Sequence, residues 1–169
     1  FSLSRFRAFR LYSGSSNPSL ARKIAGQLAT ELGAVELTRF ADGERFVHYN
    51  HTVRGVDIFL VQSVAPPVND HLMELLLMID SAKRASAGRI TAIIPYLGYS
   101  RQDRKNKPRV PISSKLVANM LETAGTDRLL TMHMHSDQIQ GFYDIPVDHL
   151  YSTPVAMEYL QNNYPDDNS

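Results

Sequence analysis

The stretch VDIFLVQSVAPPVNDHLMELLLMIDSAKRASAGRITAII, residues 56–94, decides the fold class of this chain. It begins with residues that are nearly all apolar and β-favouring, as in a strand buried on both faces of a sheet. Apolar residues at helical spacing then predict a long helix, capped by Asn69 or Asp70 and ending near Gly88. Residues 89–94 repeat the pattern of a buried strand. A strand, a helix and a strand in this order predict a right-handed crossover between parallel strands.

Outward from this unit, strands and helices alternate along the chain. On the amino-terminal side, a cap at Asn17 or Ser16 with Pro18 after it begins a helix whose leucine and isoleucine repeat stops at Gly33. The other predicted elements are strands at 9–13, 34–38, 128–132 and 147–150, a loop or hairpin at 40–55, and helices at 115–122, 137–142 and 154–162. This alternation predicts an α/β domain, doubly wound, with a mostly parallel sheet and helices on both faces.

Length and composition suit one globular domain and exclude several classes of function. The chain has 169 residues, of which 43% are hydrophobic, enough to bury a sizeable core. A net charge of +1 argues against a broad nucleic-acid-binding face, and the absence of cysteine excludes disulfides and thiol chemistry. No apolar run approaches the roughly 20 residues of a membrane span, and the amino-terminal FSLSRFRAFR lacks the apolar core of a secretory signal.

A strongly positive loop, PYLGYSRQDRKNKPRVPISS at residues 95–114, follows the second buried strand. Its charged residues are the cations Arg101, Arg104, Lys105, Lys107 and Arg109 and the single acid Asp103. Loops at the carboxyl ends of parallel strands form the ligand crevice of open α/β sheets, and guanidinium groups pair with phosphate through two hydrogen bonds. A nucleotide fits this loop, with Arg101 and Gln102 against the purine. The alternative reading is a solvated surface loop.

A second candidate loop is FADGE, residues 40–44. Gly43 permits a tight turn, the carboxylates of Asp42 and Glu44 can accept hydrogen bonds from an amine or a sugar hydroxyl, and Phe40 offers a stacking face. Taken alone, the segment is equally well explained as a turn.

A third candidate is the segment HMHSDQIQGFYD at residues 133–144, which follows a strand. His133 and His135 lie on one side of a continuing strand, with Asp137, Asp144 and Asp148 nearby, an arrangement that suits a divalent metal site. Magnesium prefers oxygen ligands, so two histidines at this spacing favour a transition metal. The alternative is that a histidine simply packs at the end of the strand.

The familiar nucleotide and hydrolase motifs are absent. The sequence contains no GxxxxGK[ST] loop, no GxGxxG after a strand, no HExxH and no nucleophile-elbow serine. A nucleotide would therefore have to be bound by another architecture.

Six segments of the chain together resemble the ribose-phosphate pyrophosphokinase family, also called phosphoribosyl-pyrophosphate synthetases. They are FADGE (40–44), TVRG (52–55), NDHLMELLLMIDSAKRA (69–85), YSRQDRKNKPR (99–109), ISSKLVANMLETAG (112–125) and HSDQIQGFYDIPVDHLY (135–151). The likeness runs from about Leu11 to Pro154. It implies a type I phosphoribosyltransferase-like N-terminal domain. It also implies transfer of the β,γ-diphosphoryl group of ATP to the 1-hydroxyl of ribose 5-phosphate, with Mg²⁺, giving phosphoribosyl pyrophosphate and AMP.

The resemblance implies an ATP site built from two loops. The residues that correspond to ATP contacts are Phe40, Asp42, Gly43, Glu44, Arg101 and Gln102. The adenine would lie between the Phe40 ring and the Arg101 guanidinium. In the family, the FADGE loop reaches this site from a neighbouring subunit.

The resemblance further implies a metal ligand and a regulatory site. His135 corresponds to a metal-binding histidine, and His133 stands where the family usually has aspartate. The residues that correspond to a regulatory phosphate or nucleotide site are Thr52, Arg54, Lys105 and Arg109.

Family members are about twice as long as this chain. Their second domain carries the ribose 5-phosphate loop and the catalytic Lys and Arg, so no catalytic residue is expected in this half. Residues 1–155 are expected to form the ATP-side domain, and 156–169 a helix end and polar tail that lead to a missing second domain. The absence of an initiator Met predicts a processed or excised chain.

Two functions stay open. The chain is either the N-terminal half of a ribose-phosphate diphosphokinase, inactive alone, or a non-catalytic associated subunit of the same family, which the residue at position 133 and the length favour. Both predict a cytoplasmic homo-oligomer, hexameric in full-length relatives, with ATP and ribose 5-phosphate as ligands and neither nucleic-acid nor membrane partners.

Overall fold

A computed structural model describes residues 8–163 as one parallel sheet with flanking helices and a separate hairpin. In chain order the elements are β1 (Phe9–Ser13), α1 (Pro18–Gln27), β2 (Val35–Arg39), β3 (Arg45–Tyr49), β4 (Asp57–Val61), α2 (Val68–Arg84), β5 (Arg89–Tyr96), α3 (Ser113–Ala124), β6 (Arg128–His133), a 3-10 helix (Asp137–Phe142), β7 (Val147–His149) and α4 (Thr153–Asn163). Residues 1–7, part of the segment FSLSRFRAFR, and residues 164–169, the end of the predicted polar tail, lie outside the described residues.

The large sheet has the strand order β1-β4-β5-β6-β7, and all four pairings are parallel. The predicted strand–helix–strand unit corresponds to β4, α2 and β5, whose strands are direct neighbours. The hairpin of β2 and β3 is antiparallel and separate from this sheet. These pairings confirm the predicted α/β fold class.

Alternating side chains of the sheet build two cores. Ile58 and Leu60 of β4 belong to the main core with residues of α2 and α3, whereas Phe59 and Val61 pack on the side of α1. Leu75 of α2 is fully buried in the main core. Each such side chain contributes about 1.5–3 kcal/mol by leaving water. Helices therefore cover both faces of the sheet, as predicted.

Helix α1 begins as predicted and ends earlier. Asn17 caps it by accepting a hydrogen bond from the Leu20 N–H at 3.1 Å. The prediction that it continues to Gly33 is wrong, because the helix ends at Gln27. Ala29 adopts a left-handed φ of 49°, which turns the chain away from the helix axis.

The last leucine of that repeat serves the sheet. Leu32 forms an isolated parallel bridge with Leu11 and packs in the smaller core with Ala21 and Ala25. Leu28 is 53% exposed. The four-residue repeat in the sequence therefore includes both residues of the helix and Leu32, which belongs to the extended segment after it.

Helix α2 begins before its predicted cap. Its first residue is Val68, and Pro67 stands at the N-cap without a side-chain hydrogen bond. Asn69 and Asp70 lie inside the first turn, where their side chains bind residues outside the helix. Their capping role in the prediction was therefore wrong.

The hairpin of β2 and β3 packs against α2. Tyr49, at the end of β3, is buried and donates a hydrogen bond to the Met78 carbonyl oxygen at 2.9 Å. Its ring meets the Tyr12 ring edge to face, with centroids 4.8 Å apart. Burial raises the pKa of the Tyr49 hydroxyl far above its usual range. The base of the hairpin is thus fixed to the body of the domain.

Helix α4 follows β7 and buries none of its residues. The domain boundary predicted after residue 155 falls inside this helix and stays a prediction. None of the helices between residues 8 and 163 combines the length and the apolar content required to cross a membrane.

The parallel strands end along one edge of the sheet. Tyr96 at the end of β5 pairs with His133 at the end of β6. The loop at residues 97–112 and the segment that begins at residue 134 therefore leave the sheet side by side. This edge places two of the three candidate segments together.

Candidate functional site

A cavity of about 380 Å³ opens between the loop after β5 and the segment after β6. Its lining includes Arg101, Gln102 and Arg104 from the loop and His135, Ser136 and Gln138 from the segment. The structure therefore brings the predicted Arg101, Gln102 and His135 into one site.

Tyr99 connects the start of the loop to α2. Its backbone is left-handed, with a φ of 63°, a conformation that L-residues adopt only under constraint. Its hydroxyl donates a hydrogen bond to the Asn69 side-chain oxygen. The first turn of α2 thus fixes the backbone two residues before Arg101.

Gln102 is held by the first turn of α3. Its backbone carbonyl oxygen accepts from the Ser114 N–H at 3.1 Å, and its side-chain oxygen accepts from the Ser113 hydroxyl. Since that oxygen is engaged, the amide nitrogen of Gln102 is the group free to donate to a ligand.

The charge of the cavity favours an anion. Arg101 and Arg104 face it with only Asp103 as a counter-charge in the lining. Lys107 is exposed in the same loop and does not line the cavity. Two guanidinium groups at the rim suit a ligand with several phosphate oxygens.

The two histidines have different surroundings. His135 is exposed and lines the cavity. His133 stacks on Tyr96 at the strand end, with ring centroids 5.6 Å apart and an interplanar angle of 12°. His133 is exposed too, but it does not line the cavity. The metal-binding role of His135, and that of His133 beside it, stays a prediction.

The described residues do not provide a complete metal site. Between residues 8 and 163, no group of three or more His, Asp and Glu side chains gathers closely enough to hold an ion. His135 shares the cavity with Arg101 and Arg104, whose charges repel a bare divalent cation. The lining fits only a cation that arrives with its own oxygen ligands, such as phosphates.

The segment after β6 is fixed by contacts that sequence reasoning did not identify. Ser136 caps the 3-10 helix by accepting from the Gln138 N–H at 3.2 Å. Lys115 of α3 donates to the Phe142 carbonyl oxygen at 2.6 Å. Ser136 and Gln138 both line the cavity, and their place directly after a strand end is the signal that could have identified them.

The FADGE loop, residues 40–44, is the tight turn of the hairpin. Gly43 has a φ of 95° and donates to the Phe40 carbonyl oxygen at 2.9 Å, while the Glu44 N–H donates to Asp42 Oδ1 at 3.1 Å. The Phe40 ring is 54% exposed and touches Phe46. None of these residues lines the cavity that contains Arg101.

The four residues implied for a regulatory site lie in two places. Arg54 bridges to Ala87, just before β5, and its N–H donates to Thr52 Oγ1 at 3.4 Å. This pair lies at the amino ends of the strands, whereas Lys105 and Arg109 lie in the loop beyond the carboxyl end of β5. One chain does not bring the four residues together.

The fold and the cavity define an α/β domain with a cationic crevice at the carboxyl edge of a parallel sheet, the position at which such domains bind phosphorylated ligands. The family described as the N-terminal domain of ribose phosphate pyrophosphokinase matches residues 9–125. The chain belongs to this family.

Individual relatives agree with that assignment. A ribose-phosphate pyrophosphokinase from Thermotoga maritima is 59% identical over 151 residues, which are 89% of this chain and 48% of the relative. Another from Clostridium tetani is 55% identical over 157 residues, 93% of this chain and 49% of the relative. The chain spans about half the length of the curated relatives that it matches.

A solved structure supports the same conclusion. The crystal structure of phosphoribosylpyrophosphate synthetase from Mycobacterium smegmatis superposes with a TM-score of 0.90 at 46% identity. The match covers 95% of this chain and 54% of that protein. The chain therefore corresponds to the N-terminal half of these relatives.

Proposed function

We propose that this chain is the ATP-binding, N-terminal half of a ribose-phosphate diphosphokinase. The observation that carries the proposal is the cavity in which Arg101, Gln102, Arg104 and His135 meet, in a chain of this family. In the reaction, the 1-hydroxyl oxygen of ribose 5-phosphate bonds to the β-phosphorus of ATP. The bond between that phosphorus and the oxygen that stays on AMP breaks, and the hydroxyl proton is released. This half has to hold the ATP polyanion with its β-phosphorus accessible.

The residues of the cavity have distinct tasks in this proposal. Arg101 and Arg104 pair with phosphate oxygens or stack on the base. The amide nitrogen of Gln102, oriented by Ser113, donates to an acceptor nitrogen of the adenine. Because both loop ends are anchored to helices, these groups are positioned before ATP arrives, which is the main requirement of phosphoryl transfer.

Magnesium enters the proposal as a partner of the phosphates. The ion neutralises phosphate charge when it is bound. His135, which lines the cavity, would contribute one protein contact to an ion that the triphosphate already holds, whereas His133 lies outside the lining. The aspartate usual at that position in the family is absent, so we expect weaker magnesium binding than in relatives.

A second copy of the chain completes the site in this proposal. Phe40, Asp42 and Glu44 lie outside the cavity of their own chain, which supports their contribution to the cavity of a neighbour. The separation of Thr52 from Lys105 likewise supports a regulatory site formed between copies. We therefore propose a homo-oligomer, hexameric when the second half is present, in the cytoplasm.

Calorimetric titration with Mg²⁺-ATP tests the ATP site. We expect Arg101→Ala to weaken binding about tenfold or more, because a charge-assisted hydrogen bond contributes about 1.5–3 kcal/mol. Lys107→Ala removes a cation of the same loop that does not line the cavity, so it should leave the affinity unchanged. Equal losses in the two variants, or no binding by the unmodified chain, would refute the site.

AMP release from ATP and ribose 5-phosphate tests the reaction. We expect no ribose-5-phosphate-dependent AMP from these 169 residues alone, since we place the acceptor site in the part of the relatives that they do not span. A clear signal that disappears in Arg101→Ala would show that this half suffices.

The alternative function is that of a non-catalytic associated subunit. The observation that favours it is the stacked His133 at a position usually held by aspartate. Adding the chain to a full-length active relative separates the two functions. A regulatory subunit changes the rate of that enzyme in proportion to the amount added, whereas an isolated half leaves it unchanged.

A further inference from the structure

Two arginines stand at the base of the FADGE loop. Arg39 precedes Phe40 and Arg45 follows Glu44, and the two arginines are direct cross-strand partners in the hairpin. Like charges in this position repel one another and would open the base of the loop. A compensating negative charge is therefore needed where the loop begins.

Helix α2 supplies this charge from one of its faces. Asp70 and Glu74 are four residues apart, so they lie on the same side of the helix. Arg39 Nη2 is 2.5 Å from Asp70 Oδ2, and Arg45 Nη1 is 2.9 Å from Glu74 Oε2. The hydrogen bond from Arg39 holds the pKa of the Asp70 carboxyl below its usual range, so this acid is charged at neutral pH.

The Arg45–Glu74 pair is largely shielded from water. The Glu74 side chain is 1% exposed and that of Arg45 is 16% exposed. Glu74 also accepts from the Ser15 N–H at 2.7 Å and from the Gln62 amide at 2.8 Å. The carboxylate is thus anchored to the body of the domain from several directions. Through it, Arg45 is fixed relative to the sheet.

We propose that Arg45 is a positioning residue for nucleotide binding: its pairing with Glu74 sets the orientation of residues 40–44, with Arg39 and Asp70 as a second, exposed contact. The inference rests on the proposed function, because it treats Phe40 and Glu44 as nucleotide contacts. Arg45 itself touches no ligand. Its effect on ATP is exerted only through the loop.

Hydrogen–deuterium exchange of the 169-residue chain tests directly whether the Arg45–Glu74 and Arg39–Asp70 pairs, together called the clamp, hold the hairpin in place. In Arg45→Ala we expect the hairpin amides, residues 38–49, to exchange about tenfold faster or more, while β4 and β5 keep their protection. Arg45→Lys keeps the positive charge but not the guanidinium group, so the exchange rate of its hairpin amides should be intermediate. Arg84→Ala is the matched control. It removes another arginine–carboxylate pair of α2, with Asp80 at 2.7 Å, on an exposed surface.

ATP titration tests the positioning role. If Arg45 acts through the loop, Arg45→Ala and Phe40→Ala should each weaken ATP binding, and the double variant should be little worse than Phe40→Ala alone. Additive losses, or unchanged hairpin exchange in Arg45→Ala, would overturn the inference. Equal acceleration in all elements would overturn it too, because the role would then be general stability.

Failure of the inference can be told apart from failure of the proposed function. Without any ATP binding by the unmodified chain, both the proposed function and the positioning role fall, whereas the exchange measurement still decides whether the clamp exists. If ATP binding depends on Arg101 but neither the hairpin exchange rates nor the ATP affinity change in Arg45→Ala, only the positioning role is refuted.

Discussion

Replacing Gly98 by alanine should displace the loop that carries Arg101. A Cβ atom at Gly98 would lie 2.5 Å from the Val64 carbonyl oxygen. Ordinary contact begins near 3.4 Å, so the two segments have to separate by about 0.9 Å. The Val64 backbone cannot move away easily, because its N–H donates a hydrogen bond to the Tyr96 carbonyl oxygen at 2.9 Å.

The expected loss of stability is about 1–3 kcal/mol, the usual effect of overpacking. For a chain of this size, that lowers the melting temperature by roughly 2–12 °C. A shift of the loop by almost 1 Å also moves Arg101, so we expect ATP affinity to fall about tenfold or more. Thermal unfolding followed by circular dichroism and titration with Mg²⁺-ATP measure the two effects.

Gly26→Ala is the control for this experiment. Gly26 lies in α1 with no atom within 4 Å of an added Cβ, so alanine there should stabilise the chain by about 0.5–1 kcal/mol. The reasoning is refuted if Gly98→Ala melts at or above the temperature of the unmodified chain. Reduced stability with unchanged ATP affinity would refute only the link between the Gly98 contact and the position of Arg101.

Three further changes test the fold around the site. Tyr49→Phe should reduce stability by about 0.5–1.5 kcal/mol in urea unfolding, because it removes one buried hydrogen bond, that to the Met78 carbonyl oxygen; no change would contradict this. Arg39 lowers the folded-state pKa of Asp70, so the pair stabilises the hairpin above the unfolded-state pKa and loses this effect as the pH falls through the lower folded value. Hairpin amide exchange, corrected for its intrinsic pH dependence, should therefore accelerate below about pH 4, and constant protection would contradict it. Leu75→Ala should reduce stability by about 2–5 kcal/mol by leaving a cavity in the main core, measured from the urea midpoint at constant slope, and a loss well under this range would show that the core collapses around the site.

Apolar periodicity was sufficient to predict the sheet and most of its helices. Strands buried on both faces, such as β4 and β5, consist of continuous β-favouring residues and allow few other structures. Errors occurred where a local signal competed with a contact distant in sequence. Leu32 continued the leucine repeat of α1 but pairs with Leu11 of β1, and Asp70 looked like a helix cap but binds Arg39.

The candidate site was predictable in part for the same reason. Arg101 and His135 follow neighbouring strands, so the edge of a parallel sheet had to bring them together. The support of these residues was not predictable, because it depends on side chains from separate elements: Asn69 under Tyr99 and Ser113 on Gln102. The spacing of residues along the sequence does not predict such contacts.

The many contacts of Glu74 bear on how the chain folds. It joins Ser15, 59 positions away in sequence, to Gln62, 12 positions away, and also holds Arg45. The β4–α2 contact is local and can form early, whereas closure of the long loop to Ser15 is entropically slow. The amino-terminal strand and the hairpin should therefore be the last parts to gain protection during refolding, and a ribosome-bound chain that ends before Glu74 cannot secure either of them.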